Sequence, residues 1–352
     1  MKKAQTITGA LTAALLIAIA ATAHAGKGFF MKDKIELPKM QTHCIGRYLI
    51  DLPEEFNMTT GSYLTLYFGL DKNFDAVEIQ NHRQRGESPS LARLVAAEKA
   101  ELENSEHFKS PSKNMLAAVK EVDRDSILVE AYDGMRSVDS LKLHLFAQRG
   151  EAVARLQNEK YSDKIDSRPL SFFESQLTRI AGNTRYIASP EQAGRGGCLG
   201  TLAVDDKQDG EIYSLYFYSE KHPDVGIDID MNSLTEKGDG GLLKRVSGKA
   251  GLLRALDFSS TTLRKGKRQM AGRPGEELLD AGKQEGKVQR HFVAETLITE
   301  PSSLSRPVIA ISMSMGRQDK KGNYIDPSLS EKESLAWWDA IVGSIRLRPG
   351  AQ

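Results

Sequence analysis

Ser171-Phe172-Phe173-Glu174-Ser175-Gln176-Leu177-Thr178-Arg179-Ile180-Ala181-Gly182 is the stretch on which the reading of the fold turns. Phe172, Phe173, Leu177 and Ile180 fall on one side of a helix, and Gly182 marks its end. A second helix, 329–346, is apolar at Leu335, Trp338, Ile341, Val342 and Ile345. At an offset of 161 residues, Leu177, Ile180, Gly182 and Arg185 fall on Trp338, Ile341, Gly343 and Arg346. Four matches over one helix suggest a repeated plan.

Working outward, each closing helix follows a run of strands. In the first half the β-branched and aromatic stretches are 47–52, 63–70, 76–80, 126–131, 137–148 and 152–157. Ser88-Pro89-Ser90 opens a helix to about Ser105, although Glu98 interrupts its stripe of Leu91, Leu94, Val95 and Leu102. Residues 187–197 hold Pro190, Gly194, Gly196 and Gly197 and read as a linker. Strands then recur at 199–204, 211–218, 225–231, 253–263, 268–271, 275–279, 288–300 and 307–315, with a short helix or irregular stretch over 241–251. Strands grouped around long helices, rather than strict βαβ alternation, predict α+β architecture with antiparallel sheets. The expected organisation is a segment 1–25, an α+β domain 26–186, the linker 187–197 and a second α+β domain 198–352.

The first segment reads as a secretory signal. Lys2 and Lys3 precede an uncharged run, 7–21, and Ala23-His24-Ala25 supplies small residues at −3 and −1 of a cleavage site. That run is shorter than the roughly 20 residues a membrane span needs, and no Cys follows it to carry a lipid. No later segment is apolar enough to cross a membrane, so no membrane insertion is expected after cleavage. Cleavage after Ala25 leaves 327 of the 352 residues and takes the formal charge from +1 to −1. A nearly neutral, mixed-sign chain has no field to hold nucleic acid or an anionic membrane. Its length exceeds the roughly 250–300 residues at which single cores stop growing, which again predicts two domains.

Motifs that carry chemistry are scarce. There is no Gly-x-Ser-x-Gly and no His-Glu-x-x-His. His43, His82, His107, His144, His222 and His291 are scattered one per element, as surface or core-edge histidines. Gly194-Arg195-Gly196-Gly197-Cys198-Leu199-Gly200 lacks the preceding strand, the following helix and the Lys-Ser/Thr of a phosphate loop. Asp228-Ile229-Asp230-Met231-Asn232 starts like a calcium loop, but Ser233 stands where the turn needs Gly and Asp239 where Glu should close it. Alternation with Val225, Ile227, Ile229 and Met231 makes those acids the solvent face of a half-buried strand. Arg264-Lys265-Gly266-Lys267-Arg268 reads as a solvated turn between strands. Trp338 is expected in the core and Trp337 at its edge. Cys44 and Cys198, the only cysteines, are either one disulfide or two separate buried thiols, and two are too few for a structural zinc site. No catalytic, cofactor or metal residues are assigned.

Several segments resemble the Tli family, the immunity proteins of type VI secretion lipases. Cys44-Ile45-Gly46-Arg47-Tyr48-Leu49-Ile50-Asp51-Leu52-Pro53 resembles the opening of that family's N-terminal domain. Its second domain is matched by Ala271-Gly272-Arg273-Pro274-Gly275-Glu276-Glu277, by Phe292 with Glu295-Thr296, and by 307–316. The ending Trp338-Asp339-Ala340-Ile341 and Ser344-Ile345-Arg346-Leu347-Arg348-Pro349-Gly350 is also similar. The resemblance implies a periplasmic, two-domain protein that binds a cognate phospholipase effector, blocks it and turns over no substrate. It transfers no contact residue by position. A periplasmic enzyme with a site built from scattered residues, or a ligand-binding module without a toxin partner, are the alternatives.

Overall fold

The computed structural model describes residues 35–71, 74–83, 90–236, 240–247, 261–319 and 321–351. The expected signal, 1–25, and most of the strand expected over 253–263 lie outside the described residues. The N-terminal half runs β1 (Met40–Gly46), β2 (Tyr48–Pro53), β3 (Phe56–Met58), β4 (Tyr63–Phe68), β5 (Asp75–Asn81), α1 (Leu91–Asn104), β6 (Leu116–Asp123), β7 (Ser126–Gly134), β8 (Ser137–Arg149), β9 (Ala152–Lys160), α2 (Leu170–Gly182) and β10 (Thr184–Tyr186). The C-terminal half runs β11 (Gly197–Leu199), β12 (Leu202–Val204), β13 (Gly210–Ser219), β14 (Gly226–Asn232), α3 (Leu242–Val246), β15 (Thr261–Met270), β16 (Arg273–Gln284), β17 (Lys287–Thr296), β18 (Val308–Met315), α4 (Glu331–Ser344) and β19 (Arg346–Leu347).

Period-two patterning makes most of these strands. In β18, Ile309, Ile311, Met313 and Met315 are buried while Val308, Ala310, Ser312 and Ser314 lean outward. β14 does the same with Ile227, Ile229 and Met231 inside, so Asp228 and Asp230 stand on the outer face. The helix α4 starts at a reciprocal capping box between Ser330 and Glu333. It buries Trp338 completely, and Trp337, expected at the core edge, is buried too, edge-on to Phe56 at 6.3 Å and to His222 at 5.3 Å.

The architecture is α+β and mainly antiparallel sheet. One sheet of 13 strands has the order β15-β16-β17-β18-β14-β13-β4-β5-β9-β8-β7-β6, with β3 also on β13. Read outward from the central pair, β4-β5-β9-β8-β7-β6 and β13-β14-β18-β17-β16-β15 are the same plan twice. A second sheet, β10-β12-β11-β1-β2-β19, covers the middle of the first. Its two central hairpins are also copies of each other. Cys44-Ile45-Gly46 followed by Leu49-Ile50-Asp51 repeats as Cys198-Leu199-Gly200 followed by Ala203-Val204-Asp205. Gly46 and Gly200 both take positive φ, 56° and 60°, which glycine adopts without strain.

The halves are knitted by exchange. The last strand of the first half, β10, pairs with β12 of the second, and the last strand of the second, β19, pairs with β2 of the first. Ile45 and Leu199 face each other where β1 meets β11. Ile45, Ile50, Leu199 and Val204 point into the shared core with Leu66, Tyr213 and Leu215. On the opposite face Cys44, Leu49, Cys198 and Ala203 form a small cluster closed by Ile187 and Ala193. Residues 187–197 therefore connect the halves as a packed segment with a 3-10 turn at Pro190–Ala193, not as a loose tether.

Two expectations need correction. The run Arg264–Arg268 is not a turn but lies inside β15, an edge strand. Arg264 and Arg268 reach across to Glu277 and Asp339, while Lys265 and Lys267 face solvent. Charged side chains on a sheet edge discourage pairing with other chains, which is why such a polar sequence is tolerated in a strand. The other edge, β6, was not foreseen for the same reason, since Lys120, Glu121 and Asp123 hide its strand character.

Cys44 and Cys198 stand with Cα atoms 5.9 Å apart and sulfurs in bonding contact. A bond there closes a long loop of chain and is expected to stabilise by about 2–4 kcal/mol, mainly by restricting the unfolded state. Urea unfolding of the protein with both cysteines changed to serine is expected to show a lowered midpoint. An unchanged midpoint, with two free thiols titrated in the native protein, would show that no bond forms.

Candidate functional site

The histidines lie apart, except for His82 and His144, which line one cavity. His43 packs edge-on against Phe217 at 5.3 Å, and His82 lies against Phe146 at 6.5 Å. Among the described residues no group of three or more His, Cys, Asp or Glu could hold a metal ion. Asp228 and Asp230 accept hydrogen bonds from Ser312 and Ser214 on the neighbouring strands. Burial pushes the Asp228 carboxyl above its ordinary range.

One hydroxyl, imidazole and carboxylate do line up. Ser328 Oγ lies 2.9 Å from His222 Nδ1, and Glu55 Oε1 lies 3.8 Å from His222 Nε2. The second separation is too long for a hydrogen bond. The Ser328 N–H donates to Asp224 at 2.9 Å and so offers no oxyanion contact. The trio ties the approach to α4 onto β3 and Trp337.

A cavity of about 530 Å³ lies between α1 and the sheet, lined by His82, Glu98, Glu101, Lys142, His144 and Arg155 among others. Glu98, the residue that breaks the apolar stripe of α1, is hydrogen-bonded to His144 Nδ1 and lies 3.4 Å from Arg155. The His144 contact is the main reason its carboxyl is held below the ordinary range, against the burial that would raise it. Burial, helped by Arg155, pushes the His82 imidazole down. Val95 is the buried residue of α1, and Leu91, Leu94 and Leu102 pack half-buried against Val129, Phe146 and Val153, so apolar packing and the Glu98 contacts both hold this helix.

The junction of the halves carries the most deeply buried polar cluster. Glu211, on β13, accepts from Arg47 Nη2 at 3.0 Å and from Gln208, and Tyr213 Oη donates to it at 3.3 Å. Burial pushes the Glu211 carboxyl up against the pull of Arg47, and pushes the Tyr213 hydroxyl well up. The Gly194–Gly197 stretch closes over this cluster. Arg348 donates to the carbonyls of Gly194 and Gly196, and Arg47 to that of Arg195. A Cβ on Gly197 would lie 2.0 Å from Tyr213 Oη, and one on Gly196 would lie 2.3 Å from the Val204 carbonyl. These glycines thus permit close packing, and the carbonyls of Gly194, Arg195 and Gly196 face the two arginines.

The remaining functional feature is a surface. The turn β4–β5, the connection from β9 to α2 and the turn β7–β8 lie at one end of the N-terminal strands, as the pairs Phe68↔Asp75, Leu141↔Lys160 and Gly134↔Ser137 require. Large apolar side chains are exposed along this end: Leu70, Phe74, Ile165 and Met135, with Phe108 beside Met135. Arg168 binds Asp75 and Asp166 and lies 4.8 Å over the Phe172 ring, which braces this end. Sequence reasoning missed these residues because isolated apolar side chains in turns have no periodicity. It also missed Arg47, Glu211 and Arg348, although the Cys-x-Gly repeat could have marked the junction.

The N-terminal domain model of the Tle cognate immunity protein 4 family matches residues 41–167, and its C-terminal domain model matches residues 190–350. No curated protein matches the chain. Among solved structures, the apo immunity protein TplEi of the type VI secretion system from Pseudomonas aeruginosa is similar, with 25% identity and a TM-score of 0.62, over 88% of this chain and 97% of that one. A Tle4–Tli4 complex is similar at 25% identity and a TM-score of 0.61, over 88% and 98%. TplEi bound to an "L" peptide shares the fold at 23% identity and a TM-score of 0.57, over 88% and 98%.

The Glu98 latch predicts a pH dependence. A carboxyl held below its ordinary value of 4.5 contributes stability above that pH, and the contribution is lost as pH falls through the lowered value. Glu98→Gln is expected to be less stable than the unmodified protein at pH 7, with the gap closing in acid. Urea midpoints measured from pH 7 to about pH 3 check this, and a gap that does not change with pH would contradict it.

Proposed function

The chain belongs to the Tle cognate immunity protein 4 family, and from that premise we propose that it binds and inhibits a cognate type VI secretion lipase effector in the periplasm. The observation that carries the reading is that both domain models of the family match, in order, across most of the chain. The fold adds support, because a protein of the same build occurs in the Tle4–Tli4 complex. Inhibition of this kind is stoichiometric. The chain supplies a rigid surface, and stability of the complex rather than turnover protects the cell.

Export is part of the reading. Residues 1–25 carry the features of a cleavable signal, and no described helix is long and apolar enough to cross a membrane. The paired Cys44 and Cys198 suit an oxidising compartment, where we expect the bond to form after translocation.

Directing a type VI secretion lipase effector of the Tle4 kind to the periplasm is expected to kill cells, and co-expression of the full chain is expected to rescue them. Deletion of residues 2–25 should abolish rescue while leaving a folded protein that still associates with the lipase in vitro. Equal killing with and without the chain, together with no association of the purified pair, would refute the reading. Hydrolysis of lipid or ester substrates by the purified chain would refute the absence of turnover.

A further inference from the structure

Because the fold is built twice, one half serves as a control for the other. Strand order makes the turn β7–β8 the counterpart of the turn β16–β17. The second of these is Gln284-Glu285-Gly286-Lys287-Val288, with Glu285 and Gly286 at φ 51° and 80° and Val288 half-buried. The first is Gly134-Met135-Arg136-Ser137-Val138, with Met135 57% and Val138 44% exposed. Phe108, 45% exposed, lies against it and donates its N–H to the Met135 carbonyl at 2.8 Å. The counterpart carries Glu285 where this turn carries Met135, so the fold closes the turn without an apolar side chain at its tip, and an exposed Met135 beside an exposed Phe108 is a patch that closing the turn does not need.

The mounting is rigid. His107 is fully buried, and its Nδ1 accepts N–H bonds from Ser110 at 2.7 Å and Lys109 at 3.2 Å. Nε2 therefore carries the proton and donates to the Ser137 carbonyl at 3.0 Å, which ties the Phe108 loop to the turn. The imidazole packs on Tyr132 at 4.6 Å, Ser110 Oγ donates to the Asn114 carbonyl at 2.8 Å, and Lys113 Nζ donates to the Phe108 carbonyl at 3.1 Å. The Arg136 guanidinium lies 5.5 Å over the Phe108 ring. A loop pinned by a buried histidine so as to hold a phenylalanine in water has met the ordering cost of binding before any partner arrives.

We propose that Phe108, Met135 and Val138 form an anchor that docks onto an apolar surface of the lipase effector, a proposal that rests on the immunity reading. Arg136 lies over the Phe108 ring and Lys113 donates to the Phe108 carbonyl, so the two cations held against the anchor favour a partner surface that is apolar with carboxylates at its margin. Apolar and aromatic residues at the centre of an interface carry most of its affinity, and border charges mainly set the association rate.

The test is a titration of the mature protein with a purified type VI secretion lipase effector of the Tle4 kind. Phe108→Ala with Met135→Ala is expected to weaken binding at least about tenfold, the loss typical of an interface anchor. Arg136→Glu is expected to slow association and to reduce its salt dependence, and Glu285→Ala at the counterpart turn should change nothing. All positions altered are exposed, and unchanged melting curves confirm that the variants fold. Full-strength binding by the double variant, while the unmodified protein binds, overturns the anchor alone. No binding by the unmodified protein overturns the immunity reading and the anchor with it. A dimer of the unmodified protein in light scattering that Met135→Glu separates would assign the patch to a second copy of the chain instead, and overturn the proposal.

Discussion

The pairing of β1 with β11, Ile45 opposite Leu199, is the contact on which the rest of this structure depends. It joins two copies of one Cys-x-Gly hairpin, and each copy then receives the terminal strand of the other half. The central pair of the large sheet, β4 against β13, lies over the same hairpins. A duplicated chain could form two separable bodies. Here the exchange of β10 and β19 makes the edge of each hairpin the property of the opposite half, and residues 37–352 cohere as one compact unit.

The junction is also where the energetic risk is concentrated. The Glu211 carboxylate is buried against Arg47, Gln208 and Tyr213. Breaking such a buried pair by removing one partner typically costs roughly 3–5 kcal/mol, whereas the intact pair contributes little net stability. Its value lies in allowing one arrangement. Arg47 comes from the first hairpin, Glu211 from the central strand of the second half, and Arg348 from the far end of the chain. Only the assembled fold brings all three together, so the cluster opposes misplaced pairings of two similar halves. A second network, Arg264 and Arg268 with Glu277, Asp339 and Trp338, fixes α4 to the opposite edge of the sheet in the same manner.

What was legible in the sequence follows from where periodicity speaks. The alternation of 307–315 and the apolar side of 171–182 gave strands and helices because one face of each is buried. The repeated helix offset of 161 residues pointed to the duplication, and the architecture carries it much further than four matches could. The edge strands β6 and β15 were hidden because an edge is under pressure to be polar. Glu98 looked like a fault in a helix pattern, and it ties that helix to His144 and Arg155 on the sheet. The surface residues Phe108 and Met135 left no trace, since a partner's requirements are not written in the chain's own period.

The central claim is that a cross-braced, duplicated fold presents an apolar end of its N-terminal half to a lipase. Amide hydrogen exchange, compared between the free protein and its complex with the lipase, tests this most directly. The account predicts slow exchange at β1 and β11 in both states, with new protection on binding at residues 105–115 and 134–138 and none at 283–287. Protection confined to the turn at 283–287, or β1 and β11 exchanging as freely as surface loops, would contradict it.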